Sequence, residues 1–257
     1  MTIRARFASW LPPLLPLVLS LGAAEIAVRM AWVPSYLIPA PSEVLQSLLV
    51  DRSELALAAW ATLSSALAGL LLSFVAGTMF AIALSSSDLA RRAFYPYAVF
   101  FQTVPIISIA PLLVIWFGFG QPTVIASAAI VSVFPIIAST LLGLKSTEPA
   151  LLDLFKLYTA SKRQLLWMLK IPFALPQIFS GLRIASGLAV VGAIVGEFIG
   201  GGGLGSVVDA ARTQQRIDRV FAAVLISSLL GIVLVGAVNF ISGLSLGSWH
   251  SSERRSS

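Results

Sequence analysis

Few side chains in this sequence could do covalent chemistry. There is no cysteine, and the one histidine, His250, stands near the C-terminus. Thiol catalysis, disulfides and Cys-built metal sites are therefore excluded, and a His-built site or triad would need more than that tail residue. Two carboxylates sit in apolar runs, Glu25 and Glu197. An intramembrane carboxylate is a proton-relay candidate; a gate or interface contact is the plainer reading. Glu197 lies fourteen residues past Arg183, about 21 Å along a helix, too far to pair with it. It is expected to meet Arg212 or Arg216. Glu25 and Arg29 are four apart and suit a pair on one helix face.

A second group could handle a solute. Gln102 and Thr103 stand between Pro96 and Pro105 in an apolar run. A buried amide must be paired, so Gln102 either contacts a polar solute or bonds a carbonyl freed by a proline. Phe100, Phe101, Trp116 and Phe117 could stack on a ring-shaped solute, or simply fill the core and the lipid face. Gly200, Gly202 and Gly205 satisfy G-x-G-x-x-G, but they follow a membrane helix instead of a strand, so they read as a turned loop. No GxxxxGK[ST] occurs, so the chain carries no P-loop of its own.

The elements that must position these residues are membrane helices. The chain is 58% hydrophobic and 11% charged, with a mean hydropathy of +0.94. Soluble domains are about 25% charged, so this is an integral membrane protein. A span needs about 20 apolar residues, and six stretches qualify: about 11–32, 57–85, 94–118, 121–144, 177–199 and 219–246. Arg4, Arg6 and Gly22-Ala23-Ala24 imitate a secretory signal, but the apolar run continues to about Trp32, so an uncleaved first span is expected. All spans must be helical, since lipid offers no partners to a strand edge. The fold class is an all-α polytopic membrane protein of one domain.

Orientation follows from Lys and Arg. With both termini inside, Arg4, Arg6, Arg91, Arg92, Arg254, Arg255 and five cations between Lys145 and Lys170 are cytoplasmic. Only Arg29, Arg52, Arg212, Arg216 and Arg219 fall outside. The net charge of +6 reflects this loop bias and not nucleic-acid binding. Pro96, Pro105, Pro111 and Pro135 kink spans three and four, either to line a pathway or for packing alone. Gly181, Ala185, Ala189 and Ala193, with Gly192, Gly196 and Gly200, permit close helix approach, either within the chain or at a subunit interface.

Between spans four and five lies a charged island, residues 145–176. Ser146 and Thr147 offer N-caps, and Pro149 suits a first turn. Leu151, Leu154, Phe155 and Tyr158 then form an apolar stripe, with Asp153 and Lys156 off it. Thr159-Ala160 interrupts the pattern. Ser161 and Gln164 make a capping box, and a second helix is expected to end at Ile171-Pro172. The spacing predicts a cytoplasmic two-helix element that docks on a partner or lies on the bilayer.

The island resembles the cytoplasmic coupling (EAA) loop of ABC importer permeases, E-A-A-x3-G-x9-I-x-L-P. Here it reads Asp153-Leu154-Phe155, three residues, Thr159, nine residues, Leu169, one residue, Ile171-Pro172. Thr159 replaces the motif glycine, and a β-branched residue resists left-handed backbone angles. QTVPIISIAPLLVIWFGFG from Gln102, SGLRIASGLAVVGAIVGEF and GGGLG extend the resemblance to the branch serving nitrate, sulfonates, taurine, thiamine precursors and riboflavin.

That resemblance implies a multi-pass permease of the bacterial inner membrane, not itself an enzyme. It implies a second permease copy, a separate ABC ATPase that binds the ATP, and a periplasmic or lipid-anchored solute-binding protein, with no cofactor in this chain. Leu151, Asp153, Leu154, Phe155, Tyr158, Thr159, Ser161 and Pro172 would couple to the ATPase. Gln102, Thr103, Pro105 and Glu197 are the pathway candidates. The alternative is a stand-alone proton-coupled transporter using Glu197 or Glu25.

Overall fold

The computed structural model describes the backbone of residues 3–246 and the side chains of residues 15–246. His250, Arg254, Arg255 and the side chains of Arg4 and Arg6 lie outside that range. All regular structure among the described residues is helical: α1 (Ile3–Arg29), α2 (Pro41–Val50), α3 (Arg52–Ser85), α4 (Asp88–Thr103), α5 (Ile106–Phe117), α6 (Gln121–Lys145), α7 (Pro149–Leu157), α8 (Lys162–Gly200), α9 (Gly203–Thr213) and α10 (Ile217–Leu246). Among the described residues, α3, α6, α8 and α10 are each long and apolar enough to cross a membrane, and α4 and α5 are so together, as a broken span or a re-entrant loop.

The expected third span is therefore not one kinked helix. It breaks between Thr103 and Ile106, and the two halves diverge by 100°. The cause is Pro105. A proline pushes its predecessor out of the helical region, and Val104 is extended, with ψ 124°. Pro105 is extended too, at φ −61° and ψ 120°, before α5 begins. Pro96 and Pro111 stay inside their helices.

The centre of the bundle is α6 packed antiparallel on α8, with α3 across both. Between apolar helices in lipid no hydrophobic force operates, so close packing carries the association. A Cβ on Gly192 would lie 2.8 Å from the Ala128 Cα and 2.9 Å from the Ser127 carbonyl oxygen. One on Gly181 would lie 2.6 Å from the Ser139 Cβ. The small-residue stripe thus does what its spacing predicts, but its partner is α6 of the same chain and not another subunit. Ser127 Oγ donates to the Gly192 carbonyl at 2.7 Å, and the Ser73 and Ser132 hydroxyls share a 2.8 Å bond between α3 and α6.

At the end of the bundle away from α7, two elements appear where loops are expected. α2 precedes α3, its first turn closed by the Ala40 N–H donating to Glu43 Oε2 at 3.1 Å. The polar stretch after the fifth span folds as α9. Arg216 bridges Asp51 at 3.1 Å and Asp218 at 2.9 Å, and Arg219 pairs with Glu54. The hydrogen-bonded Asp218 holds the Arg216 guanidinium above its ordinary pKa. Glu25 and Arg29 pair as expected, at 2.6 Å. The same carboxylate also accepts the Ser42 N–H at 3.0 Å and hydroxyl at 2.7 Å, tying α1 to α2.

Candidate functional site

The 145–176 segment begins differently from its sequence reading. Ser146 Oγ donates back to the Gly143 carbonyl at 2.8 Å, so it closes α6 and does not cap α7. Thr147 is buried with its hydroxyl unpartnered. Glu148 occupies the N-cap of α7 without a side-chain bond, and Pro149 fills the first helical position as expected.

α7 buries none of its residues. Leu151 and Phe155 are half-buried, turned partly toward their own chain. The outward apolar tip is instead Leu154, Leu157 and Tyr158, with Leu157 81% and Tyr158 77% exposed. Sequence reading missed Leu157, although Leu154, Leu157 and Tyr158 stand at i, i+3 and i+4, the spacing that makes one helix face. Asp153 and Lys156 pair at 2.8 Å on the exposed flank.

The turn that follows has a definite geometry. The Ala160 N–H donates to the Phe155 carbonyl at 3.0 Å and the Thr159 N–H to the Lys156 carbonyl at 2.9 Å. These are the two bonds of a Schellman motif, whose pivot takes left-handed angles and favours glycine. Thr159 is that pivot, with φ +53°. The turn therefore does require left-handed backbone, and a β-branched residue supplies it. Ser161 then starts the second arm with the expected box: its N–H donates to Gln164 Oε1 at 2.8 Å, and the Gln164 N–H donates to Ser161 Oγ at 3.3 Å.

The second arm does not end at Pro172. It runs without a break into the membrane as α8. Proline has no N–H, and its ring crowds the carbonyl four residues back. A π-helical turn at Leu165–Lys170, with the Ile171 N–H donating to the Leu166 carbonyl, widens the helix just before Pro172. Pro172 and Pro176 are then accommodated inside one continuous helix. The turn after α7 is thus joined to one continuous helix that reaches the far end of the bundle.

The break between α4 and α5 opens on a cavity of about 790 Å³ at the level where α6 and α8 cross the middle of the bundle. Gln102, Tyr97 and Phe101 of α4, Trp116 of α5, Phe134 of α6 and Leu188 of α8 lie on its wall. Gln102 is exposed to it, and its amide makes no hydrogen bond within the described residues. The reading in which Gln102 satisfies a proline-freed carbonyl is therefore not what the structure shows. Thr103 is not on the wall; its hydroxyl donates to the Phe100 carbonyl at 2.7 Å. Phe100 and Phe117 also lie off it, and Pro105 acts by making the break.

Glu197 is elsewhere. It is 1% exposed, and its expected partners are absent: Arg212 pairs with Asp209, and Arg216 with Asp51 and Asp218. Glu197 Oε2 instead accepts the Gly205 N–H of α9 at 2.8 Å and the Thr62 hydroxyl of α3 at 3.0 Å. The Leu204 N–H in turn donates to Thr62 Oγ1 at 2.9 Å. A carboxylate at a helix N-terminus answers its unpaired N–H groups and dipole, so α3, α8 and α9 are locked together there. Gly201, Gly202 and Gly203, all at positive φ, make the turn that brings α9 back over Glu197. Glu197 also borders a second cavity, about 610 Å³, beside Trp60 and Gln121. The structure thus separates the two pathway candidates, Gln102 at half depth and Glu197 at the far end.

A family model described as the binding-protein-dependent transport system inner membrane component matches residues 69–243, from α3 into α10. The chain belongs to this family. It is 39% identical over 225 residues to the formylaminopyrimidine transport permease protein ThiX of Halalkalibacterium halodurans, covering 86% of this chain and 89% of that one. It is 30% identical over 226 residues to the riboflavin transport system permease protein RibX of Chloroflexus aurantiacus, covering 85% and 82%. A permease chain in inward-facing structures of the MetNI methionine ABC transporter has the same fold, with a TM-score of 0.64 at 17% identity, over 71% of this chain and 92% of that one. The permease is therefore an inner-membrane component of an ABC importer. It forms the membrane path, while a separate subunit hydrolyses ATP and a binding protein presents the solute. The alternative of a stand-alone proton-coupled transporter falls.

Proposed function

We propose that two copies of this permease form the pathway of an importer, with the α7 tip seated on the ATPase. One observation carries the reading. α7 holds an apolar tip clear of the bundle while its turn leads into α8, which runs from Lys162 to Gly200 past both Leu188 and Glu197. Closure of the ATPases would push on Leu154, Leu157 and Tyr158. Leu151, Asp153 and Phe155 would shape the base of the tip, and Thr159, Ser161 and Pro172 would set the angle of the arms. The cavity at the α4–α5 break would face the second copy, with Gln102 toward the solute. The nucleotide stays on the ATPase, and the permease needs no cofactor of its own.

In this reading the chain is one membrane domain with six spans, α1 being the first and the α4–α5 pair the third. Both termini and the 145–176 segment are cytoplasmic. The paired acids around Arg212, Arg216 and Arg219 support this orientation, because they neutralise the cations of the outer end. The binding protein would dock at that end. The solute would belong to the kinds served by this branch: a thiamine-precursor pyrimidine or riboflavin, as the relatives' names indicate, or nitrate, a sulfonate or taurine. The test is co-purification and ATP-driven uptake with Leu157→Ala and Tyr158→Ala. Both are expected to fall at least fivefold with membrane insertion intact. Unchanged association with the ATPase in the double variant would remove the docking role of α7.

A further inference from the structure

The wall of the cavity at the helix break is uniform in its chemistry. Its side chains are almost all aromatic or branched aliphatic, and among the described residues lining it none is charged. An anion such as nitrate or an alkyl sulfonate, or the zwitterion taurine, would leave water for a wall with no charged group to meet it. Burying an unpaired charge is the costliest form of desolvation. A quaternary ammonium would find ring faces but no carboxylate.

A neutral flat ring loses much less. Tyr97, Phe101, Trp116 and Phe134 come from three helices around the space. The ring contacts made here, Phe100 with Phe101 at 5.9 Å and Tyr95 with Phe134 at 6.4 Å, each join one wall ring to a ring off the wall. These contacts brace the two wall rings from outside and leave their cavity faces for a guest, which stacks offset or edge-on. The polar side chains on the wall are few. Gln102 carries an acceptor and a donor side by side, and Tyr97 carries a hydroxyl. A glutamine amide makes two hydrogen bonds at once with a ring nitrogen and the amino group next to it. Pro135 and Val131 also border the space. Pro135 has no N–H to give the Val131 carbonyl four residues back, so α6 lacks that backbone hydrogen bond beside the space. The volume, about 790 Å³, falls in the range of small-molecule sites.

We infer that this cavity is a transit site for an uncharged planar nitrogen heterocycle carrying an amino group beside a ring nitrogen, held by Gln102 between the aromatic walls. The inference rests on the reading of the chain as a solute pathway, and it adds that the permease itself selects, in addition to the binding protein. Of the solutes this branch serves, it admits the uncharged ring compounds and rejects those that carry ionised groups.

The test uses the permease–ATPase complex reconstituted in phospholipid vesicles without the binding protein. Binding of radiolabelled formylaminopyrimidine, riboflavin and taurine is measured directly. Formylaminopyrimidine is expected to bind, with riboflavin weaker and taurine undetected. Gln102→Leu, nearly the same size and on an exposed wall position, is expected to weaken the pyrimidine at least about tenfold. Trp116→Ala removes a stacking wall and should weaken both rings. Taurine binding as tight as the pyrimidine, no ring binding by the wild type, or Gln102→Leu binding the pyrimidine unchanged each overturns the inference. ATP hydrolysis stimulated by added binding protein is measured on the same wild-type vesicles. Its absence would count against the importer reading and leave the binding result to decide the cavity.

Discussion

Thr159 offers a test that depends on one backbone angle. The chain turns between α7 and α8 with Thr159 at φ +53°, held by the Ala160 N–H to Phe155 carbonyl bond and the Thr159 N–H to Lys156 carbonyl bond. A residue with a Cβ carries about 1–2 kcal/mol of penalty in left-handed backbone. Glycine removes that penalty but brings extra freedom to the open state, which takes back about 0.5–1 kcal/mol. Thr159→Gly should therefore tighten the turn by roughly 0.5–1 kcal/mol, about a two- to fivefold shift in the local opening equilibrium. Hydrogen exchange of the peptide covering Phe155 to Gln164, in the assembled complex, reads that equilibrium directly. The expected order of protection is Gly, then Asn, then Thr. Thr159→Pro should abolish it, since proline is fixed near φ −65°. If Thr159→Gly exchanged as fast as the wild type or faster, the strain argument would be refuted, and with it the assignment of Thr159 as the pivot.

Other expected outcomes bear on packing and on the far end. Gly192→Ala places a Cβ 2.8 Å from the Ala128 Cα, against backbone that cannot swing away. It should cost about 1–3 kcal/mol, visible as a lower melting temperature in detergent; a loss under half a kcal/mol would contradict the α6–α8 contact. Gly203→Ala would drive its Cβ into the Glu197 carboxylate. The carboxylate can yield only by leaving Thr62 and Gly205, so Gly203→Ala and Glu197→Ala should be strongly non-additive, with an interaction energy of about 1 kcal/mol or more. Additive losses in that cycle would mean the lock at α9 is not where the cost arises. The Leu157→Ala and Tyr158→Ala variants should separate coupling from folding: uptake drops while the melting temperature stays, because both side chains are exposed.

Much of the architecture follows from local rules. The spans at 121–144 and 219–246 match α6 and α10 within two residues at each boundary, because long uncharged runs have no other stable form in lipid. The Ser161–Gln164 box and Pro149 are local hydrogen-bond and dihedral preferences, and both hold. The errors cluster where a local signal had two outcomes. Pro105 breaks its span, whereas Pro96, Pro111 and Pro172 do not. A proline's effect depends on whether the helix can widen before it, as at Leu165–Lys170, and no residue spacing shows that. Ser146 is equally suited to close α6 or open α7, and only the position of the Gly143 carbonyl decides.

Composition and spacing alone were enough to show a helical membrane protein with no thiol and no P-loop motif in its sequence, and a two-armed element at 145–176. Those conclusions need only composition, periodicity and spacing. The tertiary structure decided which side chains meet. Glu197 is pinned by Thr62 and Gly205 and not by an arginine, because a three-glycine turn folds α9 back over it. Gln102 faces a cavity because the chain bends by 100° just beyond it. The small residues of α8 serve α6 and not a second subunit. In each case the deciding contact joins residues far apart in the chain, and local preferences carry no information about which distant surface a helix face will meet.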